Sequence, residues 1–350
     1  MSKNMLATNA EVNSLLELTS RIGVNPLLTQ ASTGNTSIKL EGVLWIKASG
    51  KWMADAMQED ILIPLELAEV RHCVQQGVDP AERYTAASTE TAMHAVLPHR
   101  VVVHVHSVNT IAWAVRQDGP SQLRHKLKGL CWQWIPYVPS GLPLAREIAR
   151  VMSTQPDTVL FVLGNHGLIV CGEDYTAVES LLAEVEQCLA ACPRQAPPAD
   201  YSVLAEIADG SDWELPDDDG VHALATDAIS QAVLSEGFLY PCQAIFSGRT
   251  KPALFRPVPC PEPEDQWGRR YCTRPFLIVE GRGVVIGSAM TPAELAMISG
   301  LARVVQRIDV SAPLRYLTAA EVASSSRTVA HRYRELANAR GNGVHTASRR

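Results

Sequence analysis

Apolar positions recur at helical spacing over residues 11–30, where Leu15, Leu16, Leu18 and Ile22 share one stripe; Gly23 and Pro26 predict its end. In the segment ASTGNTSIKLEGVLWIKASGKWM, Ile38, Leu40 and the stretch 43–46 predict two short strands around Glu41-Gly42, bounded by Gly34 and Gly50. Residues 60–76 predict a connecting segment and then a helix. Residues 88–99 read as a helix capped by Ser88 or Thr89 and stopped at Pro98. The β-branched run 101–108 predicts a strand that passes into a helical NTIAWAVRQ. A further strand is expected at 132–139 and a helix at 142–153. Two strands should flank Gly164-Asn165-His166-Gly167, followed by a long amphipathic helix from Asp174. Strands alternating with helices in this way predict an α/β layered domain.

Residues 193–200, PRQAPPAD, are polar and Pro-rich and read as a linker. We therefore divide the chain into a domain at 1–195, a smaller α+β extension at 196–340 and a disordered tail at 341–350. Within the extension the pattern predicts helices at 221–236, 291–307 and 318–338. It also predicts strands near 243–247, 253–256, 276–280 and 283–287. No internal repeat is visible.

A chain of 350 residues can bury a sizeable core in one or two domains. The net charge of −6 lacks the basic footprint of a nucleic-acid binder, though an acidic protein can still carry a local pocket for an anion. The N-terminus has no signal-peptide pattern and no apolar run reaches membrane-span length, so a cytoplasmic protein without a membrane partner is expected. The eight cysteines form no CxxC pair, which fits reduced thiols.

His104 and His106 stand at i and i+2 in a strand run, so both imidazoles point to one face. A pair like this can be two ordinary polar side chains. However, an unpaired polar group beside Val101–Val103 on a buried strand is costly, which favours a ligand role. His166 sits between glycines at a strand-to-strand turn, where the backbone can bring a side chain close to a site. Three histidines leave a Zn²⁺-type ion with open positions, as a catalytic site requires.

Glu90, just before these in the chain, has two readings: a carboxylate reaching the same ion or acting as a base, or a helix-capping residue after Ser88-Thr89. His94, one turn on, reads as a supporting or core histidine rather than a fourth ligand. The segments Gly34–Ser37, Ala48-Ser49-Gly50 and Ser88-Thr89 can each aim N–H and hydroxyl groups at an anion; each alone is simply a turn. No Walker or GxGxxG pattern is present, so no nucleotide cofactor is expected.

Taken together, GNTSIKL, KASG, STETAMH…VVVHVHS and LGNHGLIVCGEDYTAVE resemble the class II aldolase/adducin head family over roughly residues 10–195. That family includes fuculose and rhamnulose phosphate aldolases, ribulose phosphate 4-epimerases and related decarboxylases. The STETAMHAVLPHRVVVHVHS pattern is nearest to the branch in which a rhamnulose phosphate aldolase is fused to a dehydrogenase, although no dehydrogenase domain is recognisable.

The resemblance implies an α/β/α sandwich around a mainly antiparallel nine-stranded sheet, assembled as a homotetramer with active sites at subunit interfaces. It implies Zn²⁺, or Mn²⁺ or Co²⁺, on His104, His106 and His166. It gives Glu90 an acid/base role and Asn35, Ser49, Gly50, Ser88 and Thr89 a phosphate-binding role. The implied activity is cleavage of a C–C bond in a small, phosphorylated hydroxy-carbonyl substrate through a metal-stabilised enediolate. A decarboxylase or 4-epimerase would use the same intermediate, and an adducin-like interaction module would use none. A hydrolase using zinc-bound water is a further alternative, for which the sequence offers no separate base beyond Glu90.

This chain departs from the family pattern in having Ser49 where a threonine is usual and Thr89 where a second serine is usual. The Glu90-to-His104 segment is shorter than in the fuculose enzyme. The tyrosine that some members supply from a neighbouring subunit has no counterpart that can be placed.

Overall fold

The structure, a computed structural model, describes residues 3–246, 254–255, 275–325 and 328–338. Its backbone divides into two units, Met1–Ala190 with Glu335–Ala337, and Ala191–Arg334 with Asn338–Arg350. The expected tail at 341–350, and Cys260 and Cys272, lie outside the described residues.

The first unit is built on strands β1 (Asn35–Leu40), β2 (Val43–Lys47), β3 (Leu62–Glu66), β4 (Val101–Val105), β5 (Trp132–Ile135), β6 (Leu160–Leu163) and β7 (Gly167–Gly172). They form one sheet in the order β3-β2-β1-β4-β7-β6-β5. Every neighbouring pair is antiparallel except β5–β6. The sheet is thus mainly antiparallel as expected, but it has seven strands among the described residues and not nine. Pairing beyond these strands stops early: Ala48 and Ala87 make an isolated bridge, because the chain turns into the helix Thr91–Val96 directly after it.

The period-2 alternation of β4, β6 and β7 builds the layers. Val101, Val103, Val105, Leu160, Val162, Leu168 and Val170 pack with the helices Lys3–Gly23 and Tyr175–Leu189. Val102, Phe161, Leu163, Ile169 and Cys171 pack with the helices Thr91–Val96 and Leu142–Thr154 on the opposite face. β4 is central and covered on both faces, so it reads as a continuous apolar run.

Three expectations are corrected here. Residues 60–76 contain β3, which the pattern did not reveal because Pro64 interrupts it; β3 is the edge strand, where a proline costs no ladder bond. The helix expected at 88–99 is confined to Thr91–Val96. The strand expected to 108 ends at Val105, because Ser107 caps the next helix by accepting from the Thr110 N–H.

In the second unit, β8 (Trp213–Glu214), β9 (Leu254–Phe255), β10 (Phe276–Val279) and β11 (Gly283–Gly287) form a sheet in the order β8-β11-β10-β9. Residues 241–246 are helical where a strand was expected. The helix expected at 221–236 is broken at Asp227, whose carboxylate caps a new helix by accepting from the Ile229 and Ser230 N–H groups. Within the helix expected at 318–338, Ala319–Ser325 and Thr328–Asn338 are helical, and residues 326–327 lie outside the described residues. The helix Pro292–Val305 opens with a reciprocal Thr291–Glu294 capping box.

Candidate active site

β4 delivers His104 and the residue after its end, His106, to the face that also carries Val102. The β6–β7 turn delivers His166 to the same point. The three imidazole rings meet edge to face, with centroids 5.0, 4.9 and 5.0 Å apart, and their ligand nitrogens all lie within 4.8 Å of one another. All three are buried.

His104 donates its Nδ1–H to the Leu168 carbonyl at 3.0 Å, which turns Nε2 toward the cluster. His106 Nε2 is 3.2 Å from it. Nitrogens bound tetrahedrally at the usual Zn–N distance stand about 3.3 Å apart, so the spacing fits a transition ion. Burial lowers the His106 imidazole well below its ordinary pKa, and burial holds His166 down to about 4 against the pull of Glu90. Both are therefore neutral near pH 7, as ligands must be.

The glycines that frame His166 stand in the close approach expected of them. The left-handed residue is Asn165, with φ 53°, and not Gly164 or Gly167. The glycines are needed for space. A Cβ at Gly167 would stand 2.5 Å from the Val105 carbonyl oxygen and 3.3 Å from His104 Cε1. One at Gly164 would stand 2.9 Å from the Trp134 ring.

Glu90 is the N-cap residue of the helix Thr91–Val96, but its side chain makes no capping bond. Its carboxylate is turned into the histidine cluster instead, with Oε2 3.3 Å from His104 Nε2 and Oε1 3.3 Å from His166 Nε2. Asn35 donates to Oε2 at 2.8 Å and Ser140 to Oε1 at 3.2 Å. Burial pushes this carboxyl up, but the surrounding imidazoles and the Asn35 amide outweigh it and hold Glu90 below the ordinary carboxylate range.

The residues expected to bind phosphate separate into two groups. Asn35 and Ser88 are engaged inward: Asn35 donates to Ser88 Oγ at 3.1 Å, and Ser88 Oγ also accepts from the Glu90 N–H. Ser49 and Gly50 follow the Ala48–Ala87 bridge, with the Ser49 N–H donating to the Ala86 carbonyl at 2.9 Å and Gly50 at φ +75°, while Thr89 follows Ser88 on the other side of the bridge; Ser49 and Thr89 are half-buried.

Sequence reasoning missed two residues. Ser140 carries no pattern, since only the fold brings it to Glu90 across 50 positions. Lys47 is fully buried and donates to the carbonyls of Ser32, Ala48 and Lys51 at 3.1, 3.3 and 2.7 Å. Burial brings its ammonium down to about 7, opposed by the charge of Glu90. A lysine ending an apolar strand immediately before Ala-Ser-Gly was the available signal.

Comparison with known proteins agrees with this geometry. The profile of the Class II Aldolase and Adducin N-terminal domain matches residues 14–192, and the chain belongs to that family. A Bacillus subtilis relative described as the uncharacterized oxidoreductase YuxG is 27% identical over 202 residues. That match covers 50% of this chain but only 29% of the relative's own length.

Among solved structures, the N-terminal class II aldolase domain of a conserved Thermoplasma acidophilum protein is similar, at 22% identity and TM-score 0.44, over 51% of this chain and 94% of that one. The L-fuculose-1-phosphate aldolase of Thermus thermophilus matches at 17% identity and TM-score 0.37, over 51% and 91% of the two chains. Membership of the family supports chemistry of the aldolase, epimerase or decarboxylase kind at a metal-dependent site.

Proposed function

We propose that this protein is a metal-dependent carbon–carbon lyase acting on a small hydroxy-carbonyl compound with a terminal anionic group. The observation that carries this reading is the convergence of three buried imidazoles and one buried carboxylate on a single point. His104, His106 and His166 would hold Zn²⁺, or Mn²⁺ or Co²⁺ in its place. The ion, when bound, supplies Lewis-acid stabilisation of the negative charge that develops beside a carbonyl as the bond breaks.

Glu90, held ionised, accepts the hydroxyl proton whose removal releases the leaving carbonyl fragment, and returns a proton to the carbon left behind. Ser49, Gly50 and Thr89 hold the terminal anion, and fixing that end of the substrate orients the scissile bond. Burial around Glu90 and the histidines keeps bulk water from the reacting carbon. Decarboxylation and epimerisation fit the same residues and would differ in the leaving group. On this reading the chain assembles as a homotetramer, which sedimentation would show.

The test is to load the full chain with Zn²⁺, Mn²⁺ or Co²⁺ and offer ketose 1-phosphates and small hydroxy-keto acids. Release of an aldehyde or ketone fragment, abolished in Glu90→Gln with metal still bound, supports the proposal. A metal-loaded protein that leaves every such compound intact would contradict it.

A further inference from the structure

Asn35 and Ser37 stand at i and i+2 of β1 and so share a face, and Asn35 pairs in register with His104 on β4. His94, fully buried one turn after Glu90, lies between them. Its Nδ1 is 2.6 Å from Ser37 Oγ, and its Nε2 is hydrogen-bonded to Asn35 Oδ1. For a neutral His94 ring, one proton arrangement satisfies every contact. The Asn35 amide nitrogen must face Glu90 Oε2 and Ser88 Oγ, since the flipped amide would set its oxygen against a carboxylate. Asn35 Oδ1 is then an acceptor, so His94 donates to it from Nε2. Its Nδ1 is therefore a lone pair and accepts from the Ser37 hydroxyl. Burial, with the nearby Lys39 charge, keeps this imidazole neutral.

We infer that Asn35 is a positioning residue for the Glu90 carboxylate, fixed in its amide orientation by His94 and Ser37. This rests on the metal-site reading proposed above. Both amide hydrogens are committed, one to Ser88 and one to Glu90. The Ser37–His94–Asn35 chain thereby sets where negative charge stands relative to His104 and His166.

The test uses Co²⁺, whose visible absorption reports its surroundings, on the full chain. Glu90→Ala supplies the reference change. His94→Phe and Asn35→Leu should shift the spectrum in the same direction and weaken Co²⁺ binding by roughly ten- to a hundredfold. Adding either to Glu90→Ala should change nothing more. His94→Gln, whose amide can donate to Asn35 and accept from Ser37, should restore the wild-type spectrum.

Folded His94→Phe and Asn35→Leu proteins with unaltered Co²⁺ spectra and affinity would overturn the inference. If the wild type binds no Co²⁺, the metal reading fails, and ¹⁵N NMR of the metal-free protein decides the inference separately. A neutral His94 protonated at Nε2, with its N–H signal lost in Asn35→Leu, is the expected result. A His94 protonated at Nδ1 would overturn it.

Discussion

Neutral histidines buried around one carboxylate make the metal-free protein sensitive to acid. The folded pKa of His166 is depressed to about 4, so above the ordinary histidine value of 6.5 neither the folded nor the unfolded state binds this proton. Between 6.5 and about 4 only the unfolded chain takes it up, and stability is lost as pH falls through that window. His166 contributes a slope of at most about 1.4 kcal/mol per pH unit there. Glu90, depressed in turn, adds to the loss at lower pH. We expect the melting temperature of metal-free protein to drop between pH 6.5 and 4, and His166→Gln to flatten that drop; equal slopes would show that the imidazole is not buried neutral.

At this scale, His104 and His106 were legible because a strand period of two places them on one face, and His166 because glycines frame it. Glu90 was ambiguous between cap and site, since both readings place it at a helix start. Ser140 and the inward turn of Asn35 were not legible, because neither lies in a repeating pattern with its partner.

Among the elements, the β6–β7 turn makes the sharpest demand on sequence. Gly167 faces a backbone oxygen 2.5 Å from where a Cβ would stand, and backbone cannot swing aside. Gly167→Ala should cost about 1–3 kcal/mol by denaturant unfolding, as overpacking in a filled core does. It should also displace His104 or His166 and weaken metal binding. Asn165→Gly, at φ 53°, should cost about 1–3 kcal/mol, because glycine takes that conformation freely but the buried Asn165 side chain and its contacts are lost. The long apolar runs of β4, β6 and β7 were readable from sequence because they are covered on both faces. β3 was not, because an edge strand tolerates the Pro64 that argues against a strand. Residues 243–246 are helical where the pattern predicts a strand, because a short apolar run carries too few residues to separate a strand from a helix.

For the whole molecule, the family and the layered α/β architecture could be read from motif order, while the strand count came from the resemblance alone and differs here. The substrate is not legible because the metal ligands determine which charge is stabilised and not which group leaves. A site that forms only in the folded state couples metal to stability. An ion at about a hundred times its Kd should stabilise the fold by about 2.7 kcal/mol, so excess chelator should lower the melting temperature of metal-loaded wild type and leave that of His106→Ala unmoved. The most direct test of the three-histidine centre is elemental analysis of the purified full chain beside His106→Ala, after both are reconstituted with Zn²⁺ or Mn²⁺ and desalted. The account predicts about one ion per chain in the wild type and a near-complete loss in the variant. A wild type that retains no ion, or a variant that retains as much, would contradict it.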